Sequence, residues 1–353
     1  MRLLITGGAG FIGTALCRHL LAGTDAQVLV FDKLTYAANR SAVDKFRQNQ
    51  RYSFVQGDIC NHWKVDCVLR RFRPTAVLNL AAESHVDRSI RNATDFVETN
   101  VTGTMVLLEA LRKYLASLEK RHAESFRFLH VSTDEVFGDL GDQADRNAFT
   151  EDTPYNPSSP YAASKAASDH LVRAWCRTYR IPAMITNCTN NYGPAQYPEK
   201  LIPLVCRHAL NMWTLPVYGD GSQIRDWIHV DDHARALLKV LQKGVPGESY
   251  AIGARNEWRN LDLVRLICRT FDTLVPEDAP HERLIRFVVD RPGHDRRYAV
   301  DPQKVEDQTG WRAETNFETG IRRTVRWYLE NAVRPEVDAS GSEWPDLGAR
   351  VPA

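Results

Sequence analysis

Tyr161 and Lys165 stand four residues apart in Tyr161-Ala162-Ala163-Ser164-Lys165. On a helix that spacing puts both side chains on one face. An ammonium beside a phenol favours phenolate and lowers the phenol's pKa. A tyrosine tuned in this way takes a hydroxyl proton as hydride leaves the attached carbon. Thr133-Asp134-Glu135 carries a second kind of chemistry. Eliminating water needs one group to remove a carbon-bound proton and another to protonate the departing hydroxyl, and two carboxyls in unlike surroundings can divide those roles. Asp134 would then have to keep its proton near neutral pH, through burial and the charge of Glu135.

A third set of residues suits phosphate. Gly7-Gly8-Ala9-Gly10-Phe11-Ile12-Gly13 follows a strand-like run and opens a helical one. Gly7 permits a tight turn, Gly10 lets the backbone approach a diphosphate, and Gly13 lets helix and strand pack closely. The helix start adds free N–H groups and the positive end of its dipole. The spacing is GxxGxxG rather than GxGxxG. Asp32 ends the next strand-like run, where an acid binds a ribose 2′-hydroxyl and repels a 2′-phosphate. Lys33 beside it weakens that selection, but NAD is the expected cofactor. Asp58 is spaced to accept from an adenine amino group or, equally, to cap a helix.

Arg2–Thr6, Val28–Phe31, Tyr52–Val55, Ala76–Leu80 and Phe128–Ser132 read as strands, with helical patterns at Phe11–Leu21 and Asp95–Leu118. Strand and helix in alternation predict an α/β fold, a doubly wound parallel Rossmann-type sheet. Ligands bind at the carboxyl edge of such sheets, where Thr133-Asp134-Glu135 falls. After residue 190 prolines and glycines crowd in, and helical patterns return at Asp231–Gln242, Leu261–Phe271 and Phe317–Asn331. The expected organisation is an NAD-binding domain over 1–190, joined by a later helix near 231–242. A smaller C-terminal α/β substrate domain is expected over 191–332 and a mobile tail over 333–353.

The 353 residues, 43% hydrophobic and 25% charged, have ordinary globular composition with room for a large core. A net charge of +1 gives no reason to expect a nucleic-acid partner. No apolar stretch reaches spanning length, and Met1–Thr6 starts as a strand rather than a leader, so a cytoplasmic protein is expected. Seven cysteines without a CxxC predict reduced thiols rather than disulfides or zinc. His229 and His233 flank Asp231 and Asp232; with no third ligand in view they read as structural, one of the acids capping the following helix, and no metal is expected.

Together these pieces resemble the extended short-chain dehydrogenase/reductases, over nearly the whole chain up to Asn331. Within them the chain is similar to the nucleotide-sugar 4,6-dehydratases whose substrate is dTDP-glucose. The resemblance is carried by Ala81-Ala82-Glu83-Ser84-His85-Val86-Asp87-Arg88-Ser89, Ser132-Thr133-Asp134-Glu135-Val136-Phe137-Gly138 and Asn187-Cys188-Thr189-Asn190-Asn191-Tyr192-Gly193-Pro194. Pro198-Glu199-Lys200-Leu201-Ile202-Pro203, Ile224-Arg225-Asp226-Trp227 and Arg291-Pro292-Gly293-His294-Asp295-Arg296-Arg297-Tyr298 add to it. Nucleotide-sugar epimerases share the glycine loop and the Tyr-Lys pair but carry small or apolar residues in place of Asp-Glu. Dehydration is therefore the expectation, with a dehydratase or 4-epimerase of UDP- or GDP-sugars as the alternative.

The resemblance implies the following roles. Tyr161 removes the C4 hydroxyl proton, hydride passes to NAD and later returns to C6, and Lys165 tunes Tyr161 and binds the nicotinamide ribose. Thr133 bonds the C4 oxygen, Glu135 takes the C5 proton and Asp134 protonates the departing C6 hydroxyl. The same matching implies NAD contacts at Phe11, Ile12, Asp32, Lys33, Leu34, Thr35, Asp58, Ile59, Leu80, Ala81, Ala82, Ser84, Thr99 and Asn191. It implies substrate contacts at Ser84, Thr133, Asn190, Lys200, Leu201, Pro216, Val217, Tyr218, Arg225, Asn260, Arg291, His294, Asp295 and Tyr298. Arg225 and Arg291 suit a diphosphate, which arginine grips bidentately. It also implies a homodimer built on a four-helix bundle from helices near Thr99–Leu118 and Tyr161–Tyr179.

Overall fold

Strand β1 (Arg2–Thr6) sends Leu3 and Ile5 to one face and Leu4 to the other, and all three are buried. A strand apolar on both faces belongs inside a sheet covered on both sides. The computed structural model, which describes residues 1–141 and 147–331, has that arrangement. The further strands are β2 (Gln27–Asp32), β3 (Tyr52–Gln56), β4 (Ala76–Asn79), β5 (Arg127–Thr133), β6 (Ala183–Cys188), β7 (Asn190–Tyr192), β8 (Leu215–Tyr218), β9 (Ile224–His229), β10 (Ser249–Ile252), β11 (Glu257–Arg259), β12 (Ile285–Val288) and β13 (Arg297–Tyr298). Seven of them form one parallel sheet in the order β10-β6-β5-β4-β1-β2-β3. The order reverses between β1 and β4, and ligands bind beyond the carboxyl ends at such a switch point. This is the doubly wound sheet that the alternation of strands and helices predicted.

The helices that matter to the site are α1 (Phe11–Gly23), α2 (Gly103–Ala116), α3 (Pro160–Tyr179), α4 (Leu201–Leu210), α5 (Val230–Lys243), α6 (Asn260–Leu274) and α7 (Phe317–Asn331). On one face of the sheet Leu16 and Leu20 of α1 join Leu237 and Val240 of α5. On the other, Leu107 and Leu111 of α2 join Val172 of α3. Arg18 and His19 of α1 pair with Asp231 at the start of α5, which ties a late segment to the first helix. A third core gathers Tyr192, Val205, Val217, Trp227, Ile267 and Ile321 from α4, α6, α7 and the later strands. There β9 is flanked by β11 and β13 and also pairs with β7, while β8 pairs with β12.

Two elements differ from the sequence reading. Strands β6 and β10 are short, fully buried runs that periodicity alone does not separate from loop or helix. The pattern over Asp95–Leu118 is not one regular helix: Val97–Thr102 is π-helical before α2 begins. Such a segment shifts the register of the faces, and here it buries Thr99 and Asn100. The span 333–353, expected to be a tail, lies outside the described residues.

The acid pair rides on a single 3-10 turn, Asp134–Phe137, that Gly138 ends with φ of +86°. A Cβ at Gly138 would lie 2.3 Å from the Asn156 carbonyl oxygen. Gly138→Ala should therefore cost roughly 1–3 kcal/mol or more in denaturant unfolding. Gly141 also has positive φ but nothing within 4 Å of an added Cβ, so Gly141→Ala should cost less. Equal losses in the two variants would contradict the crowding described.

Candidate active site

The first turn of α1 opens at Gly10 with no side-chain cap, which leaves its N–H groups turned to the cavity. Gly7 has φ of +69°, and a Cβ there would sit 2.5 Å from the Ala81 nitrogen. A Cβ on Gly13 would meet the Gly7 carbonyl oxygen at 2.6 Å. Side chains would fill this cradle, and its shape fits the diphosphate of a dinucleotide. Asp32, at the end of β2, accepts from the backbone of Ala9 at 3.0 Å and Leu34 at 2.8 Å. Lys33 turns away from Asp32: its Nζ reaches Thr99 Oγ1 at 3.1 Å, Glu83 at 3.6 Å and Asp58 at 3.9 Å. Asp58 accepts from Cys60 N at 2.9 Å, and the helix that follows is capped by Asn61 instead, so Asp58 is not the cap.

Helix α3 starts where Ser159 accepts from Ala162 N at 3.1 Å and Pro160 takes the first turn. Tyr161 and Lys165 share its inward face, both buried. Tyr161 packs edge-on against Phe96 at 6.3 Å between ring centres. The Lys165 ammonium donates to the Val131 carbonyl at 2.9 Å. The tyrosine's phenol is held well above its ordinary range by burial first and then by Glu135, Cys188 and Asp134, with Thr133 opposing. Burial and the nearby acids outweigh the lysine as influences on this phenol, and the lysine's ammonium is held by a backbone carbonyl.

Thr133 ends β5 beside Cys188 of β6. Its hydroxyl accepts from Glu135 N at 3.2 Å and donates to Asp134 Oδ1 at 3.3 Å. Asp134 is 1% exposed, and its Oδ2 has no partner. Burial pushes its carboxyl well above the usual carboxylate range, Glu135 and then Asp226 push it further, and Arg225 and Thr133 resist. Glu135 is also raised by burial, but Arg291, Lys200 and Arg225 hold it back. The two acids differ in the charges around them, and the proton is favoured on Asp134.

From the later segments, Arg225 donates to the Asp295 carbonyl at 2.9 Å and lies over the Tyr298 ring at 4.2 Å. Arg291 pairs with Asp87 at 3.3 Å, and Asp87 also accepts from the Tyr218 hydroxyl at 3.4 Å. Lys200 donates to the Ser84 carbonyl at 2.7 Å. Asn190 Oδ1, Asn260 Oδ1 and Arg291 Nε are buried with no protein partner, atoms that a polar ligand would satisfy. His229 itself caps α5, accepting from Asp231 N at 3.2 Å, so neither acid takes that place. His233 bonds Asn191 Oδ1 at 2.9 Å, and burial holds its imidazole down at about 3.

One cavity of about 440 Å³ joins these groups. Its wall holds the catalytic candidates Thr133, Asp134, Glu135, Tyr161 and Lys165, and the cofactor candidates with the exception of Leu34. It holds the substrate candidates except Asp295 and Tyr298. Those two lie behind Arg225, with the Tyr298 hydroxyl donating to Asp295 Oδ2, so they brace the arginine rather than line the cavity. Leu34 offers its backbone N–H to Asp32, in a left-handed turn with φ of 58°. Residues the site reading did not single out also line the wall: His85, Asp87, Cys188, Glu199, Trp227 and Val264. The first five lie inside the stretches that carry the family resemblance, and that position was their only signal.

The chain matches the family model described as GDP-mannose 4,6 dehydratase over residues 4–324. It is 55% identical to a dTDP-glucose 4,6-dehydratase of Neisseria gonorrhoeae over 336 residues, 94% of this chain and 96% of that one. DesIV, a dTDP-glucose 4,6-dehydratase of Streptomyces venezuelae solved with NAD and a second ligand, matches with a TM-score of 0.86 at 45% identity. The match covers 94% of this chain and 98% of that one. A UDP-glucose 4-epimerase of Thermus thermophilus in complex with NAD reaches 0.81 at 28% identity, over 94% of this chain and 100% of the other.

Asp134 links the site to stability. Its carboxyl is raised on folding, so above about pH 4 the native state holds a proton that the unfolded chain releases. That contribution favours folding least at high pH and is lost progressively as pH climbs toward the folded value. Asp134→Asn removes it, so the variant's melting temperature should fall less than the wild type's between about pH 5 and 8. A steeper fall in the variant would count against a buried protonated acid.

Proposed function

The chain belongs to the family described as GDP-mannose 4,6 dehydratase, and from that starting point we propose that it converts dTDP-glucose to dTDP-4-keto-6-deoxyglucose, as its relatives at 51–55% identity are dTDP-glucose 4,6-dehydratases. It is an NAD-dependent enzyme that eliminates water, a hydro-lyase. The observation that carries this reading is the pair Asp134 and Glu135 in the same cavity as Tyr161 and the glycine cradle.

The cradle of Gly7, Gly10, Phe11, Ile12 and Gly13 would hold the NAD diphosphate, and Asp32 a ribose. Asp58 and Ile59 would face the adenine, and Lys165 and Asn191 the nicotinamide end. When bound, NAD supplies the group that accepts the C4 hydrogen and later gives it to C6, and its positive ring draws the Tyr161 phenol down. Arg225, Arg291 and Lys200 suit the substrate diphosphate as positive charges gathered on one wall. Tyr161, as phenolate, takes the C4 hydroxyl proton while the Thr133 hydroxyl holds the C4 oxygen. The resulting ketone acidifies C5–H. Glu135, kept ionisable by Arg291 and Lys200, takes that proton, and Asp134 gives its own to the departing C6 hydroxyl. Glu135 returns its proton to C5. Each turnover leaves one proton on Tyr161 and removes one from Asp134, so a proton passes from Tyr161 to solvent and from solvent to Asp134 before the next, with no net change.

We assign residues 1–190 with α5 to the cofactor and 191–332 to the nucleotide sugar. The enzyme is assigned to the cytoplasm, in keeping with its seven free cysteines; among the described residues no helix is long and apolar enough to cross a membrane. Two copies join through α2 and α3: the exposed Val97 (50%), Met105 (39%) and Tyr179 (46%) sit on or beside those helices. Four such helices would cover them.

Incubation with dTDP-glucose and UDP-glucose side by side, with mass detection of water loss, should show the dTDP sugar converted faster. Water loss from neither sugar sinks the reading. Asp134→Asn should lower kcat by roughly 100- to 10,000-fold while C4 oxidation persists, and Glu135→Gln should block entry of solvent deuterium at C5. Normal exchange in the glutamine variant would remove Glu135 from its role. Val97→Glu with Met105→Glu should shift light scattering from two copies to one; an unchanged mass would place the contact elsewhere.

A further inference from the structure

Asp169 lies one turn beyond Lys165 on α3, fully buried, and the reaction just described gives it no task. The hydrogen bonds around it have a readable direction. Thr6 Oγ1 donates to Asn79 Oδ1 at 2.6 Å, which leaves Asn79 to present its NH₂ to His130 Nδ1 at 3.1 Å. His130 accepts there and so carries its hydrogen on Nε2. That nitrogen lies 3.3 Å from Asp169 Oδ1 and 3.2 Å from Ser168 Oγ, whose own hydrogen goes to the Lys165 carbonyl. Tyr155 Oη donates to Asp169 Oδ2 at 2.9 Å, and Asn187 Nδ2 donates to the same oxygen at 3.2 Å. Two groups from separate segments thus donate to Asp169 Oδ2, while His130 Nε2 lies beside Oδ1, which has no hydrogen-bond partner of its own. Donors arranged in this way favour the anion. Burial alone would raise the Asp169 carboxyl, but the neighbouring His130, Lys165 and Ser132 hold it below the usual range.

Lys165 has the opposite need. Its ammonium is buried and bonded to the neutral Val131 carbonyl. Burial pushes its pKa down, while Asp169 and then Cys188 push it up. The Cys188 thiol is itself raised by burial to about 12 and stays neutral, which leaves Asp169 as the anion. The other titratable groups near this face of α3 are His130, Asp134 and Glu135 from β5 and its turn, Tyr155 from the preceding loop, and Tyr161 and Arg173 on α3 itself, Arg173 donating to the Tyr155 hydroxyl at 3.0 Å. Burial keeps His130 neutral, and Asp134 and Glu135 act on Tyr161. The π-helical segment packed on α3 brings the buried, uncharged Thr99 and Asn100; Asn100 donates to Ser164 Oγ at 2.8 Å, and the segment's Glu98 is exposed.

We propose that Asp169 is a positioning residue for the reaction, the fixed counter-charge one helical turn behind Lys165 that keeps the lysine an ammonium inside a closed site. Positions i and i+4 share a helix face, so the anion sits behind the lysine while the lysine faces the cavity. The inference rests on the proposed role of Lys165.

The test is turnover of dTDP-glucose across pH by the wild type, Asp169→Asn and Lys165→Met. Without the anion Lys165 loses its proton at lower pH, so the alkaline limb of kcat in Asp169→Asn should move down by about 1–3 pH units. On the acid side, where the lysine is charged again, kcat should approach the wild type. A loss of the same factor at every pH overturns the proposal, because that is what a purely structural role predicts. Undiminished turnover by Lys165→Met overturns the underlying reading instead. If Asp169→Asn does not fold, the double variant with Lys165→Met decides. Its melting temperature should recover, since the unpaired buried ammonium is gone, and failure to recover also overturns the proposal.

Discussion

Two carboxyl groups on consecutive residues, closed in with a phenol, cannot all carry charge. Burial strips solvation from them, and each new anion raises the cost of the next. The site answers this by giving the two acids unlike neighbours. Glu135 is held back by three cations from the later half of the chain, Arg291, Lys200 and Arg225. Asp134 sits deeper, with Asp226 as a further like charge and its resistance supplied mainly by Arg225. Adjacent residues of similar chemistry are thereby set apart in their readiness to hold a proton. Asp226 adds to this although it touches neither acid: its oxygens accept backbone N–H groups from Ala254 at 3.1 Å and Asn256 at 2.7 Å, while burial pushes it to about 6.

The fold supplies that asymmetry through registers set far from the chemistry. Thr133 lies beside Cys188 because β5 and β6 are in parallel register, and α3 brings Tyr161 and Lys165 over the same edge. Arg225 reaches the acids from β9, in a different sheet, braced by the Asp295 carbonyl and the Tyr298 ring. The long cationic side chains are held at their far ends, which limits the freedom they would otherwise lose on binding.

Local motifs were legible in the sequence because each is complete within a few residues. The glycine loop, Asp32, Thr133-Asp134-Glu135 and the Tyr161–Lys165 spacing all come from single turns or single strand ends, and they meet in one cavity. What was not legible depends on distant segments. Asp226 acts on Asp134 across sheets; Asp169 takes donors from Tyr155 and Asn187 and lies beside His130; Arg291 finds Asp87 on the far side of the cleft. Asp295 and Tyr298 were expected against the substrate because their stretch resembles a binding segment, but only three-dimensional packing could show Arg225 standing in front of them. Spacing likewise places the lysine near the phenol without showing that it holds the Val131 carbonyl.

The 3-10 turn that carries both acids is four residues long and ends on a glycine where an added Cβ would crowd the Asn156 carbonyl. The cradle, the phenol and the lysine all belong to other elements. A lineage of such enzymes could therefore exchange one reaction outcome for another by rewriting that short turn, while the machinery that oxidises the sugar stayed intact. The fold then behaves as a chassis, with its selectivity for product lodged in a cartridge of four residues.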